Sequence, residues 1–170
     1  MNNKPLILFQ GPVRSRSGYG DHTRDLITSL IKSEKYDILI APTKWGDCPE
    51  TGLEPNSTNN AISARILTGN NLQRQPDIFI NCSVPNEWNN IQLIGKYNIG
   101  ITAGIETTVC DSTWIQGCNK MDLVIVPSTH SRNIILNSTY DKVDSKTQKK
   151  VGDLKCEVPV EVLFEGLDTT

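Results

Sequence analysis

Short runs of Ile, Leu, Val and Phe recur along the chain between longer polar stretches. That alternation predicts an α/β fold, a Rossmann-like open parallel sheet with helices on both faces. Pro5 to Phe9 forms the first run and is stopped by Gly11-Pro12. Leu26, Ile27, Leu30 and Ile31 then fall on one face at the three-to-four-residue period, which predicts a helix from about Gly20 to Ser33. Tyr36 to Ala41 is the second strand, ended by Pro42. Periodicity is lost from Thr43 to Asn60, a loop long enough to be functional or mobile in a compact domain. Further strands are predicted at Asp77 to Cys82, Asn98 to Thr102 and Asp122 to Val126, with short helices at Ala61 to Thr68 and Ser112 to Asn119. Ser128 reads as the N-cap of another helix. Lys142 to Lys155 reads as a solvated loop. Val158 to Phe164 is the last strand, and with no helix after it the expectation is an edge strand or the cut end of a larger protein.

Composition narrows this picture without redirecting it. A length of 170 residues suits one substantial core, so residues 1–170 are read as one domain. Hydrophobic residues at 37% and charged residues at 21% are enough to fold without a disulfide framework. The five cysteines are an odd number with no CxxC pair, so they are expected to be reduced and mostly buried. A formal charge of -2 offers no global field for nucleic acid, leaving only the local lysine cluster for polyanion or membrane contact. The first apolar run is five residues long and not a signal or anchor, so the expected compartment is the cytoplasm, with membrane contact at most peripheral.

The candidate chemistry sits after the strands. Gly11 to Arg24 joins the first strand to the first helix, and ligands of open parallel sheets bind at that carboxyl edge. Gly18 and Gly20 allow close backbone approach, and the free N–H groups of a helix start favour anions, so a phosphate or sugar site is expected here, with Tyr19 and Arg16 beside it. The segment is neither the dinucleotide fingerprint nor the phosphate loop, and Asp21 reads equally as a simple cap. His22 and His130 are the only histidines, and both are expected at helix starts, where either would serve as a neutral hydrogen-bond partner. They have no carboxylate spacing that makes a metal signature, so no metal and no cofactor is expected. Glu106, flanked by Thr102, Thr107 and Thr108, could bind a polyol or accept a proton from one, or it could pair with a local backbone N–H. Trp88 and Trp114 are read as core anchors ahead of sugar platforms.

Three stretches together carry a family resemblance. They are Ser17 to Arg24; Gly104 to Thr108 followed by Trp114, Asn119 and Asp122 to Ser128; and Val160 to Asp168. In that order the chain resembles the N-terminal half of GT-B fold glycosyltransferases, especially the large retaining family 4 (glycosyl transferases group 1). The resemblance implies a hexosyltransferase that moves a sugar from a nucleotide-sugar donor to a glycan, lipid or other hydroxyl acceptor without an obligatory metal. It implies that Gly18 and Gly20 approach the donor diphosphate, and that Glu106 and its threonines face the sugars. Leu167 and Asp168 match the family's turn into the interdomain linker, with Leu167 in place of Val. The donor-binding domain would lie beyond residue 170, so the chain alone is expected to be inactive and prone to self-association through surface that domain would cover. The alternative is a non-catalytic carbohydrate- or nucleotide-binding α/β domain.

Overall fold

The structure, a computed structural model, describes residues 4–69 and 72–166. The predicted Leu167-Asp168 turn lies outside the described residues. Strands β1 (Leu6–Gly11), β2 (Asp37–Pro42), β3 (Ile78–Cys82), β4 (Tyr97–Ile101), β5 (Leu123–Val126) and β8 (Val160–Val162) form one sheet in the order β2-β1-β3-β4-β5-β8. The pairings of β1 with β2 and β3, and of β5 with β8, are parallel. Four α-helices accompany the strands among the described residues: α1 (Gly18–Lys32), α2 (Ser57–Ser63), α3 (Ser112–Cys118) and α4 (Thr129–Asn137). This is the expected Rossmann-like α/β arrangement. No described helix is long and apolar enough to cross a membrane. The chain divides into two compact units, residues 1–83 with 92–99 and residues 84–91 with 100–170.

In the first unit the burial of each strand follows its place in the sheet. β1 lies between two strands, and Leu6, Ile7, Leu8 and Phe9 are all buried, as a strand covered on both faces requires. β2 stands at the end of the order and alternates, with Ile38 and Ile40 buried. α1 starts where Ser17, in extended backbone, accepts a hydrogen bond from Gly20 N. Gly20, Thr23 and Ile27 form its buried stripe, while Leu26, Leu30 and Ile31 are only half-buried. The helix gives way at Glu34, which has a left-handed φ of 56°. The second helix lies earlier than the apolar pattern predicts. Asn56 caps it by accepting from Asn59 N at 2.7 Å, and the residues expected to continue it instead run beside β2, with Ile66 bridging Ile40 in parallel.

Asp77 ties this unit together at the start of β3. Its carboxylate accepts from Leu6 N at 2.8 Å, Lys96 Nζ at 2.7 Å and Arg74 Nη1 at 3.2 Å. The Lys96 hydrogen bond, followed by the Leu6 amide, holds its carboxyl below the ordinary 3.8. A carboxylate with a lowered folded pKa contributes stability that is present above the unfolded value and is lost as pH falls through the folded one. Asp77→Asn is therefore expected to lower the melting temperature at neutral pH. The gap from wild type should close as pH falls below 3.8, as measured by thermal melts across an acid series. A gap independent of pH would assign the effect to packing.

The second unit is built around Trp88, which is fully buried in a short 3-10 helix, Glu87–Asn90. Asn89 Nδ2 donates to Thr113 O at 2.9 Å, joining this turn to α3. Trp114, in contrast, is half-buried. α4 begins as expected, with Ser128 Oγ accepting from Ser131 N at 3.0 Å. The segment expected to be a solvated loop is an exposed antiparallel hairpin, β6 (Tyr140–Val143) and β7 (Lys150–Leu154). Its turn forms because Asp144 Oδ1 accepts from Thr147 N at 2.7 Å and Lys146 N at 3.1 Å, a local bonding pattern that polar composition alone does not reveal. Lys150 Nζ lies 2.7 Å from both Asp141 and Asp153, so part of the lysine charge is offset in place. β8 is an edge strand, as expected, with Leu163 and Phe164 exposed just beyond it.

Candidate functional site

Residues Gly11 to Gly20 leave the carboxyl end of β1 and turn into α1. Arg24 holds the turn from within the helix: its Nη1 donates to the carbonyl oxygens of Val13 at 2.8 Å and Ser15 at 2.9 Å, and its Nη2 pairs with Asp21. Ser15 Oγ and Ser17 Oγ share a hydrogen bond at 2.8 Å. The two glycines then divide in role. A Cβ on Gly20 would overlap the Ser15 carbonyl oxygen, so glycine is needed there for the turn itself. A Cβ on Gly18 would meet nothing within 4 Å, and its N–H, at the first helical position, has no partner among the described residues.

The long loop after β2 folds onto this turn. Gly52 N donates to Arg14 O at 2.8 Å, Arg16 N to Pro49 O at 2.9 Å, and Thr43 N to Gly11 O at 3.0 Å. The Tyr19 and Trp45 rings lie 4.3 Å apart between centroids, tilted by 31°. Arg16, expected to be available for a phosphate, forms an exposed ion pair with Glu54. Arg14 is exposed and has no ion-pair partner among the described residues. His22 is half-buried in the second turn of α1. One polar group escapes a reading based on apolar runs. At the carboxyl ends of β1 and β3, buried Ser83 donates to Asn81 Oδ1 at 2.7 Å, and Asn81 Nδ2 donates to Gln10 Oε1 at 2.8 Å. The only signal for it in the sequence is a lone Asn inside the run Ile78 to Cys82.

Neither family models nor curated proteins nor solved structures yield a match to this chain.

In the second unit the segment after β4 contains the other candidates. Thr102 is buried, and its Oγ1 accepts from Gly104 N at 3.3 Å, so this hydroxyl supports the loop from inside. Gly104 has a left-handed φ of 84°, and a Cβ there would overlap the Ser131 hydroxyl, which excludes any other residue twice over. Glu106, Thr107 and Thr108 are exposed on the loop that follows. Thr107 Oγ1 donates to Val109 O at 2.6 Å and so stabilises its own turn. His130 is exposed in the first turn of α4. Gly18, Tyr19, Gly20, Arg16 and His22 are thus gathered on one turn of the first unit, while Thr102, Glu106, Thr107, Thr108 and His130 belong to the second. Among the described residues no group of three His, Cys, Asp or Glu side chains could hold a metal.

Proposed function

We propose that this chain is the acceptor-side domain of a hexosyltransferase that uses a nucleotide-sugar donor, with the Gly18 turn as the surface that approaches the donor diphosphate. The observation carrying this reading is the Gly18 N–H, which opens a 15-residue helix with no partner among the described residues, at a position where an added Cβ would meet nothing within 4 Å. A helix start concentrates partial positive charge and free donors, which suits phosphate oxygens. The exposed Arg14 adds a full positive charge on the same turn. The Arg24 bonds and the overlying loop fix the donor in place, so little reorganisation is needed when the leaving phosphate gains charge. Glu106 and its exposed threonines would contact sugar hydroxyls, and the acceptor would be a glycan, a lipid or another hydroxyl compound. The chemistry is positioning and electrostatic stabilisation, and this reading calls for no metal.

The test uses the full-length protein with a panel of nucleotide-hexose donors. Gly18→Val keeps the N–H but adds a side chain that would hold the diphosphate away from it, so kcat/KM for the donor is expected to fall by about 10- to 100-fold, the worth of one lost hydrogen bond to a charged oxygen. Its melting temperature should stay near that of wild type, because the added side chain meets nothing. Undiminished donor use would reject the role of Gly18. Absence of transfer with every donor, together with binding of free nucleotide or sugar, would favour a non-catalytic binding domain.

A further inference from the structure

Five cysteines are free, and in the second unit the segment that contains Cys156 is bonded to the residue that follows Cys118. Cys118 ends α3 and is fully buried, while Cys156 is half-buried on the segment between β7 and β8. Asn119, the residue after Cys118, brackets Cys156 from both sides. Its Nδ2 donates to Lys155 O at 2.8 Å, and its Oδ1 accepts from Glu157 N at 2.8 Å. These two bonds fix the backbone on either side of Cys156 against the end of α3, one residue from Cys118.

We propose that Cys118 and Cys156 are a built oxidation site, in which a hydroperoxide oxidises Cys156 and Cys118 resolves the product into an intramolecular disulfide. The two thiols are already differentiated for these roles. Interaction with the Cys118 thiol draws the Cys156 pKa below its ordinary value, although burial opposes it, and the same interaction followed by burial pushes Cys118 upward. The thiolate is the reactive form, so the half-exposed Cys156 is the one that meets the oxidant. The Cys156 thiol also makes a long contact of 3.7 Å to Val158 O. Cys110 makes the useful contrast: its amide and thiol are both bonded to Ser138 Oγ, and burial raises its pKa.

Cys156 sulfur attacks the outer oxygen of the hydroperoxide, the O–O bond breaks, and the alcohol or water leaves with the thiol proton. Cys118 sulfur then displaces the hydroxyl of the sulfenic acid, forming the S–S bond, and its proton leaves with that hydroxyl as water. Two thiols and one hydroperoxide become one disulfide, one alcohol or water, and one water. The link joins the end of α3 to the segment before β8, spanning β5, α4 and the hairpin.

Hydrogen peroxide applied to the reduced, folded chain, followed by alkylation and peptide mass spectrometry, tests this. The expected product lacks two hydrogens and yields one cross-linked peptide pair containing Cys118 and Cys156, with the other three cysteines still alkylated. Cys118→Ala and Cys118→Ser should each stop the cross-link and let a dimedone adduct accumulate on Cys156. Two such variants guard against one that fails to fold, which circular dichroism would reveal. Oxidation spread evenly over all five cysteines, or a disulfide that excludes Cys156, would overturn the proposal.

Discussion

Trp88→Ala is expected to cost about 3–5 kcal/mol, the range for truncating a large buried aromatic side chain. Against a typical total of about 5–15 kcal/mol, that is a large fraction of the stability of the whole chain. Trp88 is completely buried although it sits in a 3-10 helix of only four residues, so its packing and not its local structure holds the segment. Gly100 of β4 shows how tightly the slot is made, since a Cβ there would lie 2.5 Å from the indole Cη2. Nearby, a Cβ on Gly117 would overlap the Pro85 carbonyl oxygen, so α3 also lies directly on the backbone of this segment. A cavity left between such close surfaces closes poorly. Urea unfolding followed by circular dichroism measures the loss, and Trp88→Phe should recover part of it. A cost under about 1 kcal/mol, the level of an ordinary surface change, would show that the indole does not anchor this unit.

Gly20→Val should cost about 3 kcal/mol or more, at or beyond the upper end of overpacking penalties. The atoms in its way are the Ser15 carbonyl oxygen, the Ser15 carbonyl carbon at 3.0 Å and the Pro12 carbonyl oxygen at 3.1 Å. These are backbone atoms, and they cannot rotate aside as a side chain would. The turn would have to move, taking with it the Ser15 carbonyl that Arg24 holds. Gly18→Val, two residues earlier, should stay within about 0.5 kcal/mol of wild type by denaturant midpoint. Equal penalties at the two sites would show that glycine is needed at both for backbone conformation. The contrast also matters for function, because lost activity in Gly20→Val would reflect a broken turn, whereas lost activity in Gly18→Val would report on the ligand.

The apolar runs made the strands legible, because a strand buried on both faces must be hydrophobic along its length, as β1 and β3 are. Capping chemistry was legible for the same local reason: Ser128 announces α4 by residue type and position. The second helix was misplaced because Ile62 and Ile66 look like one helical face, yet Ile66 is needed as a bridge beside Ile40. The hairpin is not legible in the sequence because its strands are mostly exposed, and charged residues interrupt Tyr140, Val143, Val151 and Leu154 without a regular apolar alternation. Of the site, the turn with Gly18 and Gly20 was visible as a glycine-bearing link after a strand, but the separate roles of the two glycines were not.

What the sequence determined by itself is the order and type of most elements and the place of the turn after β1. These follow from side-chain period, glycine and proline placement and caps, all of which act over a few residues. Tertiary structure alone decided that Arg24 holds Val13 and Ser15, that Arg16 is engaged by Glu54, that Thr102 is turned inward, and that Asn119 brings Cys156 to Cys118. The Arg16 and Asn119 partners lie 36 to 38 residues apart in sequence, and Thr102 is enclosed by packing from distant segments. Hydrogen-bonding capacity is written in residue type, but which of many possible partners satisfies it depends on where the chain is brought back.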